Sequence, residues 1–276
     1  MYVGVDIGGT KTLVAILDEH GRITHSLKFA TPKNYDHFLL ELRHIAHHLP
    51  IKEFRAGGVG MPVTVFDRKH GRGVSFGNLP WRNVPVHRDL ERIFDCPIVV
   101  ENDAKMAALS EAMLLKDQYR VVLYVTVSTG IGYGLVIDGQ IDTSIGDGGG
   151  KTILLEHKRQ FVPWESFASG HAIVERYGKM AKDITAESTW EAISRDLAKG
   201  LIELIAVTEP DVIVIGGSVG SYFDRYQKPL KKALSRYHIP LLKRPDLIAA
   251  QRPEHAVVYG CYDLAKQTYG HHAAAK

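Results

Sequence analysis

Residues 2–18, YVGVDIGGTKTLVAILD, place two valine-rich apolar runs on either side of the turn GGTK. The turn EHGR and a third run, ITHSLKFAT, follow them directly. Short apolar runs that are separated by glycine-containing turns predict neighbouring antiparallel strands. We therefore expect the chain to begin with a three-stranded antiparallel meander.

The same organisation returns in the second half of the chain. RVVLYVTVST and GYGLVI predict strands around the turn TGIG, and GQIDTS predicts a further strand. Each meander is followed by helical patterns and by a buried strand of parallel type, PIVVEN in the first half and DVIVIGG in the second. This repeat predicts an α/β fold of two domains with a central cleft, residues 1–112 and 113–257. We also expect a C-terminal helix at 258–270 to complete the first domain.

The composition is that of an ordinary globular protein, with 276 residues, 45% hydrophobic and 24% charged. A net charge of +3, without a run of like charges, argues against a nucleic-acid partner. No apolar run reaches the ~20 residues of a membrane span, and the chain opens on a strand rather than a signal peptide. We therefore expect a cytoplasmic protein without a membrane partner. Cys96 and Cys261 are expected to be buried thiols, and the scattered histidines predict no metal site.

The first glycine turn is a candidate phosphate site. Asp6 ends a strand, and Gly8 with Gly9 allows backbone N–H groups to point at an anion without side chains in the way. Thr10 adds a hydroxyl and Lys11 a positive charge. A plain Gly-Gly hairpin explains the same residues, and this stretch alone does not decide between the two interpretations.

A second glycine turn, residues 128–134, repeats the arrangement with Thr129 and Gly130. Two such turns, each opening one domain, predict that the domains clamp a polyphosphate. The buried strand DVIVIGG ends in Gly216 and Gly217, at the strand end where ligands of α/β sheets bind. A tight turn between a strand and a helix is the alternative interpretation of these glycines.

Acidic residues follow the buried strand PIVVEN. Asp103 stands where a helix begins, and capping the helix N-terminus is one role for an aspartate there. The other role is that of a general base that takes a proton from an attacking hydroxyl, with Glu101 and Asn102 shaping the pocket beside it.

The motifs DIGGTKT, GVGMPV, GNLPW, ENDAKMAAL, STGIGYG and PDVIVIGG occur in this order and spacing. From residue 3 to about residue 262, the chain resembles the ROK family of sugar kinases, which belong to the actin-like and hexokinase-like superfamily. The resemblance implies two actin-like, ribonuclease H-like domains and a homodimer. It also implies transfer of the terminal phosphoryl group of ATP, with Mg²⁺, to a hydroxyl of a hexose or amino-hexose, giving the 6-phosphate.

The resemblance also implies roles for individual residues. Asp103 is the general base, and Mg²⁺ binds through the ATP phosphates near Asp6. The remaining residues are, for the phosphates, Asp6, Gly8, Gly9, Thr10, Lys11, Thr129 and Gly130; for the adenosine, Gly216 and Gly217; and for the sugar, Asn78, Asn102, Asp147 and Glu165.

GDGGGKT, residues 146–152, departs from the family pattern. It looks like a phosphate-binding loop, but Ile145 stands where the first glycine of that motif is required. ROK sugar kinases usually carry Glu-x-Gly-His here, and Asp147 and Gly150 replace the glutamate and the histidine. We interpret the stretch as an altered sugar loop, in which Gly150 opens space for a larger or substituted sugar. Lys151 is then either an exposed lysine or a contact to an acidic substituent.

A zinc motif, Cys-x-Cys-Gly-x-x-Gly-Cys, often follows in the family. Neither Cys96 nor Cys261 lies near this place, so we predict no structural zinc. Phe161 and Trp164 are expected to hold the segment by packing instead. Glu165 matches the glutamate that ends the zinc motif.

Two other functions fit the same fold. One is a sugar kinase that uses inorganic polyphosphate as its phosphoryl donor. The other is a non-catalytic sugar-binding sensor, although ROK repressors carry an N-terminal helix-turn-helix domain and this chain begins at the first kinase strand. The presence of Asp103 favours an enzyme over a sensor, because a protein without catalysis has no need of the base.

Overall fold

The computed structural model describes residues 1–237, 243–252 and 254–270. Two compact units are present: unit 1 comprises Met1–Met113 with His255–Lys276, and unit 2 comprises Leu114–Glu254. Up to residue 115 the elements are β1 (Tyr2–Ile7), β2 (Lys11–Leu17), β3 (Ile23–Ala30), α1 (Tyr35–His48), β4 (Ala56–Met61), β5 (Val63–Asp67), β6 (Arg72–Phe76), β7 (Arg82–Val84), α2 (Val86–Phe94), β8 (Ile98–Asn102) and α3 (Asp103–Leu115). They continue as β9 (Val121–Val127), β10 (Ile131–Ile137), β11 (Gln140–Ile141), β12 (Leu154–His157), β13 (Gln160–Pro163), α4 (Glu165–Ala168), α5 (Gly170–Tyr177), α6 (Glu187–Thr208), β14 (Val212–Gly216), α7 (Gly217–Gly220), α8 (Phe223–Leu234), β15 (Asp246–Ala249) and α9 (Ala256–Tyr269).

The sheet of unit 1 has the strand order β3-β2-β1-β4-β8. Its first three strands form the predicted antiparallel meander, while β4 and β8 add in parallel to β1. In this register Asp6 lies beside Gly60, which lies beside Glu101. The carboxyl ends of three parallel strands therefore meet at one edge, where Asp6 and the start of α3 come together.

The sheet of unit 2 repeats that topology with the order β11-β10-β9-β14-β15. Strands β9, β10 and β11 are antiparallel neighbours, and β14 and β15 add in parallel to β9. The predicted second meander is confirmed, although its third strand has only two residues. Its core includes Trp190, which stacks on Tyr226 with ring centroids 5.1 Å apart.

Some elements were not expected from the sequence. Strands β5, β6 and β7 form a small antiparallel sheet, and β12 with β13 forms a hairpin directly after the altered sugar loop. The helical segment ESFASGHAIVERYG, residues 165–178, is divided at Ser169, whose hydroxyl accepts a hydrogen bond from the Ala172 N–H at 3.2 Å and caps α5. A serine cap of this kind starts a second helix within a segment whose apolar residues fit one continuous helix.

Helix α9 packs closely on the sheet and on α3 within unit 1. A Cβ at Gly260 would come within 1.8 Å of the Met106 carbonyl oxygen, and one at Gly58 within 2.2 Å of the Cys261 carbonyl oxygen. Glycine is required at both positions because backbone meets backbone there. Cys96 and Cys261 are buried free thiols, as predicted. No helix in the described ranges is long and apolar enough to cross a membrane.

Candidate active site

Two carboxylates stand at the carboxyl edge of the sheet in unit 1. Burial and, to a smaller extent, the nearby Asp103 carboxylate together raise the pKa of Asp6 to about 7, against a smaller opposing effect of Lys28. Burial also raises the pKa of Asp103 to about 6, although the Ala104 N–H donates a hydrogen bond to its Oδ1 at 2.8 Å. Shifts of this size at paired carboxylates are typical of functional sites.

Asn102, and not Asp103, is the main cap of α3. The Oδ1 of Asn102 accepts hydrogen bonds from the N–H groups of Ala104 at 2.9 Å and Lys105 at 3.2 Å, and its Nδ2 donates to the Val63 carbonyl at 2.8 Å. Asp103 is the first residue of the helix. Asn102 therefore does most of the capping that the sequence suggested for Asp103. One oxygen of the Asp103 carboxylate is left available for chemistry.

Glu101 holds this corner in place through a charged cluster. Its carboxylate accepts hydrogen bonds from the Arg68 Nε at 2.9 Å and Nη2 at 2.6 Å, and from the Asn102 N–H at 2.7 Å. The Glu101 side chain is only 6% exposed. A bidentate guanidinium matches a buried carboxylate in charge and geometry. The sequence pointed to Glu101, but it contained no signal for Arg68.

The first glycine turn is closed by a hydrogen bond from the Gly8 N–H to the Lys11 carbonyl at 3.0 Å. A Cβ at Gly8 would come within 2.8 Å of that carbonyl oxygen, and one at Gly9 within 2.6 Å of the Asn78 Cβ. The turn therefore needs glycine for space, and it brings Gly9 against Asn78, which was predicted to bind the sugar. The exposed Thr10 and Lys11 lie in the same turn.

The second glycine turn in unit 2 is organised by Glu165. The Ser128 N–H donates to the Gly130 carbonyl at 2.9 Å, and the Ile131 N–H donates to the Glu165 Oε2 at 3.1 Å. A Cβ at Gly130 would come within 2.7 Å of the same Oε2. The predicted phosphate turn, including exposed Thr129, and the predicted sugar contact Glu165 are thus direct neighbours in one unit.

The altered sugar loop folds onto Glu165 as well. Gly146 and Gly149 have φ values of +98° and +53°, a region that favours glycine. The Lys151 ammonium lies 3.7 Å from the Glu165 Oε1, so it pairs with an acidic side chain of this chain. Burial raises the pKa of the Tyr133 phenol, and the Asp147 carboxylate beside it adds to the rise.

The expectation that Gly150 opens space is wrong. Gly150 is buried, and a Cβ there would come within 2.9 Å of the Ile131 Cβ and 3.2 Å of the Glu165 Cβ. Glycine is present because the loop packs tightly on strand β10 and on the start of α4. The volume that a larger side chain would fill is already occupied by protein.

Trp164 and Phe161 differ in their packing. Trp164 is fully buried, its Nε1 donates to the Asp196 carbonyl at 3.2 Å, and its ring leaves no room for a Cβ at Gly200. Phe161 is 77% exposed at the hairpin, so the expectation that it holds the segment by packing is wrong. The difference follows from position, because Phe161 lies within the exposed part of strand β13, whereas Trp164 follows the strand and belongs to the core of unit 2.

Gly216 and Gly217 join β14 to α7. A Cβ at Gly216 would collide with the Tyr124 hydroxyl at 2.2 Å, and Gly217 has φ +81°. Gly216 also lines a cavity of about 150 Å³ together with Ser221, Asp224 and Ala250. The tight-turn interpretation accounts for the conformation of Gly217, and the cavity provides room for part of a ligand beside Gly216.

One carboxylate of unit 1 offers an oxygen donor to a hard cation. No group of three or more His, Cys, Asp or Glu side chains in these ranges is placed to hold a metal ion. The Asp6 carboxylate, close to Asp103, receives no hydrogen bond from any described residue. A buried, charge-crowded carboxylate oxygen is a ligand that fits Mg²⁺ when phosphate oxygens complete its coordination.

Known proteins resemble this chain in sequence and in fold over nearly its whole length. The sequence model of the ROK family matches residues 2–268. The glucokinase of Streptomyces coelicolor is 27% identical over 97% of this chain and 98% of that enzyme, and the N-acetylmannosamine kinase of Vibrio cholerae serotype O1 is 30% identical over 87% and 92%. A solved ROK family glucokinase from Streptomyces griseus, in complex with glucose and AMPPNP, is 25% identical, with a TM-score of 0.80 over 96% of this chain and 99% of that one. The chain therefore belongs to the ROK family and shares its two-domain actin-like fold.

Proposed function

We propose that the chain is an ATP-dependent sugar kinase that phosphorylates a hexose or amino-hexose, giving the 6-phosphate, with Asp103 as general base. The observation that carries the proposal is the Asp103 carboxylate, which opens α3 while Asn102 caps the helix. The relatives of this chain that are named glucokinase and N-acetylmannosamine kinase support a sugar as the phosphoryl acceptor.

The raised pKa of Asp103 suits the role of a base. At a pKa of about 6, the carboxylate is ionised at neutral pH and is more basic than an ordinary aspartate. It would accept the proton of the attacking hydroxyl while the oxygen attacks the terminal phosphorus of ATP. Phosphoryl transfer needs alignment and charge neutralisation more than covalent help, so a fixed base on a helix N-terminus suits it.

The first glycine turn would hold the phosphates. Gly8, whose N–H closes the turn, would leave space for their approach, Gly9 would supply an N–H group, Thr10 a hydroxyl and Lys11 a positive charge. Asp6 would hold Mg²⁺, which neutralises negative charge on the transferring phosphoryl group when it is bound. We assign the adenosine to the cavity beside Gly216 and Gly217, and further phosphate contacts to Thr129 and Gly130.

Four side chains are proposed to contact the sugar, namely Asn78, Asn102, Asp147 and Glu165. Asn102 already uses its Oδ1 twice and its Nδ2 once inside the protein, so it would offer the sugar one remaining N–H. Glu165 shares its carboxylate with the Ile131 N–H and with Lys151, so its orientation is fixed before the sugar binds.

The test is a panel of phosphoryl-transfer assays with Mg²⁺. ATP and inorganic polyphosphate are the donors, and glucose, N-acetylmannosamine, N-acetylglucosamine and fructose are the acceptors, with sugar phosphate as the readout. Turnover with ATP and one of these sugars is the expected result. Turnover with polyphosphate alone would reassign the donor, and the absence of sugar phosphate from every pair, with ATP still bound, would contradict the proposed activity.

A further inference from the structure

Lys33, which lies between β3 and α1, connects two loops of unit 1 that were predicted to bind different substrates. Its ammonium donates a hydrogen bond to the Gly9 carbonyl at 2.8 Å and reaches the Asn78 carbonyl at 3.4 Å. Gly9 belongs to the phosphate turn, and Asn78 to the loop GNLP. The Lys33 ammonium therefore donates a hydrogen bond to one backbone carbonyl in each loop.

The main chain of Lys33 is itself fixed. The Trp81 Nε1 donates to the Lys33 carbonyl at 3.1 Å, and the Trp81 ring is buried against Phe38, with ring centroids 4.7 Å apart. Trp81 comes three residues after Asn78, so the GNLP segment is held to Lys33 at two points. A lysine whose backbone is fixed loses less freedom when its side chain binds.

The two loops also touch directly. A Cβ at Gly9 would come within 2.6 Å of the Asn78 Cβ and 3.3 Å of the Asn78 carbonyl oxygen. Two backbones that approach so closely bring their carbonyl dipoles together, and an ammonium that donates to both stabilises this arrangement. Movement of one loop would thus strain or break the hydrogen bond to the other.

We infer that Lys33 is a positioning residue that couples the phosphate turn, residues 8–11, to the GNLP loop that carries Asn78. The inference rests on the proposed function, because it takes Gly9 as a nucleotide contact and Asn78 as a sugar contact. Its consequence is that bound nucleotide and bound sugar favour each other through Lys33. Without the ammonium, the two loops adjust to their ligands separately.

The test compares Lys33→Met with two matched variants. Lys52→Met is the control, because the Lys52 ammonium also donates to two carbonyls, those of Ala46 and His47, which belong to α1 and not to either loop. Lys33→Arg keeps a charged donor and should restore part of the function. Affinity for the panel sugar that is phosphorylated best is measured by calorimetry with and without AMPPNP, along with the KM and kcat for that sugar.

We expect Lys33→Met to weaken sugar binding in the presence of AMPPNP by about tenfold, as for loss of a charge-assisted hydrogen bond, with a smaller change without it. Lys52→Met should leave both affinities within about twofold of the original. Equal sugar affinities for the two methionine variants would overturn the inference. A rise in the KM for ATP alone, with sugar binding unaltered, would also overturn it, because Lys33 would then act only on the phosphates.

Hydrogen exchange provides a readout that does not depend on catalysis. In Lys33→Met, the backbone amides of residues 8–11 and of residues 77–79 and 81 should both exchange faster, and Lys52→Met should leave them unchanged. Unaltered exchange in both segments would contradict the coupling. If the original protein phosphorylates no sugar, the proposed function fails, while exchange still decides whether Lys33 joins the two loops.

Discussion

We expect Asp6 to make the folded protein less stable as the pH rises, and replacing it with asparagine measures the size of this effect. Its pKa rises from 3.8 to about 7 on folding, because burial and Asp103 disfavour the ionised form. A group with a raised folded-state pKa has no effect on stability below its unfolded pKa. Its penalty grows with pH and is complete above the folded pKa. The free energy of unfolding should therefore fall progressively between about pH 4 and pH 7, and it should stay lowered above pH 7.

The size of the effect follows from the pKa difference. A difference of about 3 between the folded and unfolded states corresponds to about 4 kcal/mol at alkaline pH. Relaxation of the protein around the buried carboxylate reduces part of this penalty, and we expect about 2 kcal/mol. For a chain of this length, that amounts to a rise in Tm of about 4–8 °C for Asp6→Asn.

The assay is thermal unfolding of the ligand-free protein at pH 8 and at pH 4.5, with the Asp6→Asn variant in parallel. The variant should gain stability at pH 8, and most of the gain should vanish at pH 4.5. Asp18→Asn is the control of opposite sign, because hydrogen bonds from Arg22 and His20 lower the pKa of Asp18 to about 2, so its replacement should destabilise at pH 8. An equal gain for Asp6→Asn at both pH values would refute the reasoning.

Three further predictions follow from the site. The kcat/KM should fall as the pH drops below about 6, because protonated Asp103 cannot act as a base, and a flat profile measured from pH 5 to pH 8 would argue against it. Arg68→Met leaves Glu101 charged and buried, and should lower the free energy of unfolding by about 3 kcal/mol in urea titrations, whereas a change below about 1 kcal/mol would show that the pair matters little. Gly150→Ala should lower the free energy of unfolding in the same titrations by about 1–3 kcal/mol and weaken sugar binding. Its control in the same segment is the exposed Phe161, and Phe161→Ser should change the free energy of unfolding by less than about 0.5 kcal/mol.

The repeated meander was predictable because it depends on local pattern. Apolar runs on either side of glycine turns specify hairpins, and the buried strands PIVVEN and DVIVIGG have no polar face to expose. Both sheets contain the predicted strands, although PIVVEN (β8) is separated from the first meander by β4, whereas DVIVIGG (β14) pairs directly with the second. Strands β5, β6 and β7 were missed because they are short and alternate weakly, and their pairing is set by contacts that the sequence does not display.

The site was predictable in position but less so in detail. Motif spacing placed Asp103 at the start of a helix, where the structure has it. Assigning the helix cap to Asn102 instead of Asp103 needs the backbone geometry, because the two residues are adjacent and both are good capping residues. The crowding at Gly150 and the role of Lys33 arise from contacts between segments that are distant in sequence, and no local pattern reports them.

The most direct test of the central claim compares the original protein with Asp103→Asn. Turnover of ATP with the best sugar of the panel is measured for both, together with the Kd for AMPPNP. With Asp103 as the general base, turnover falls by a factor on the order of 10² or more, while nucleotide binding stays within about threefold. Near-normal turnover of Asp103→Asn would contradict the assignment of the base.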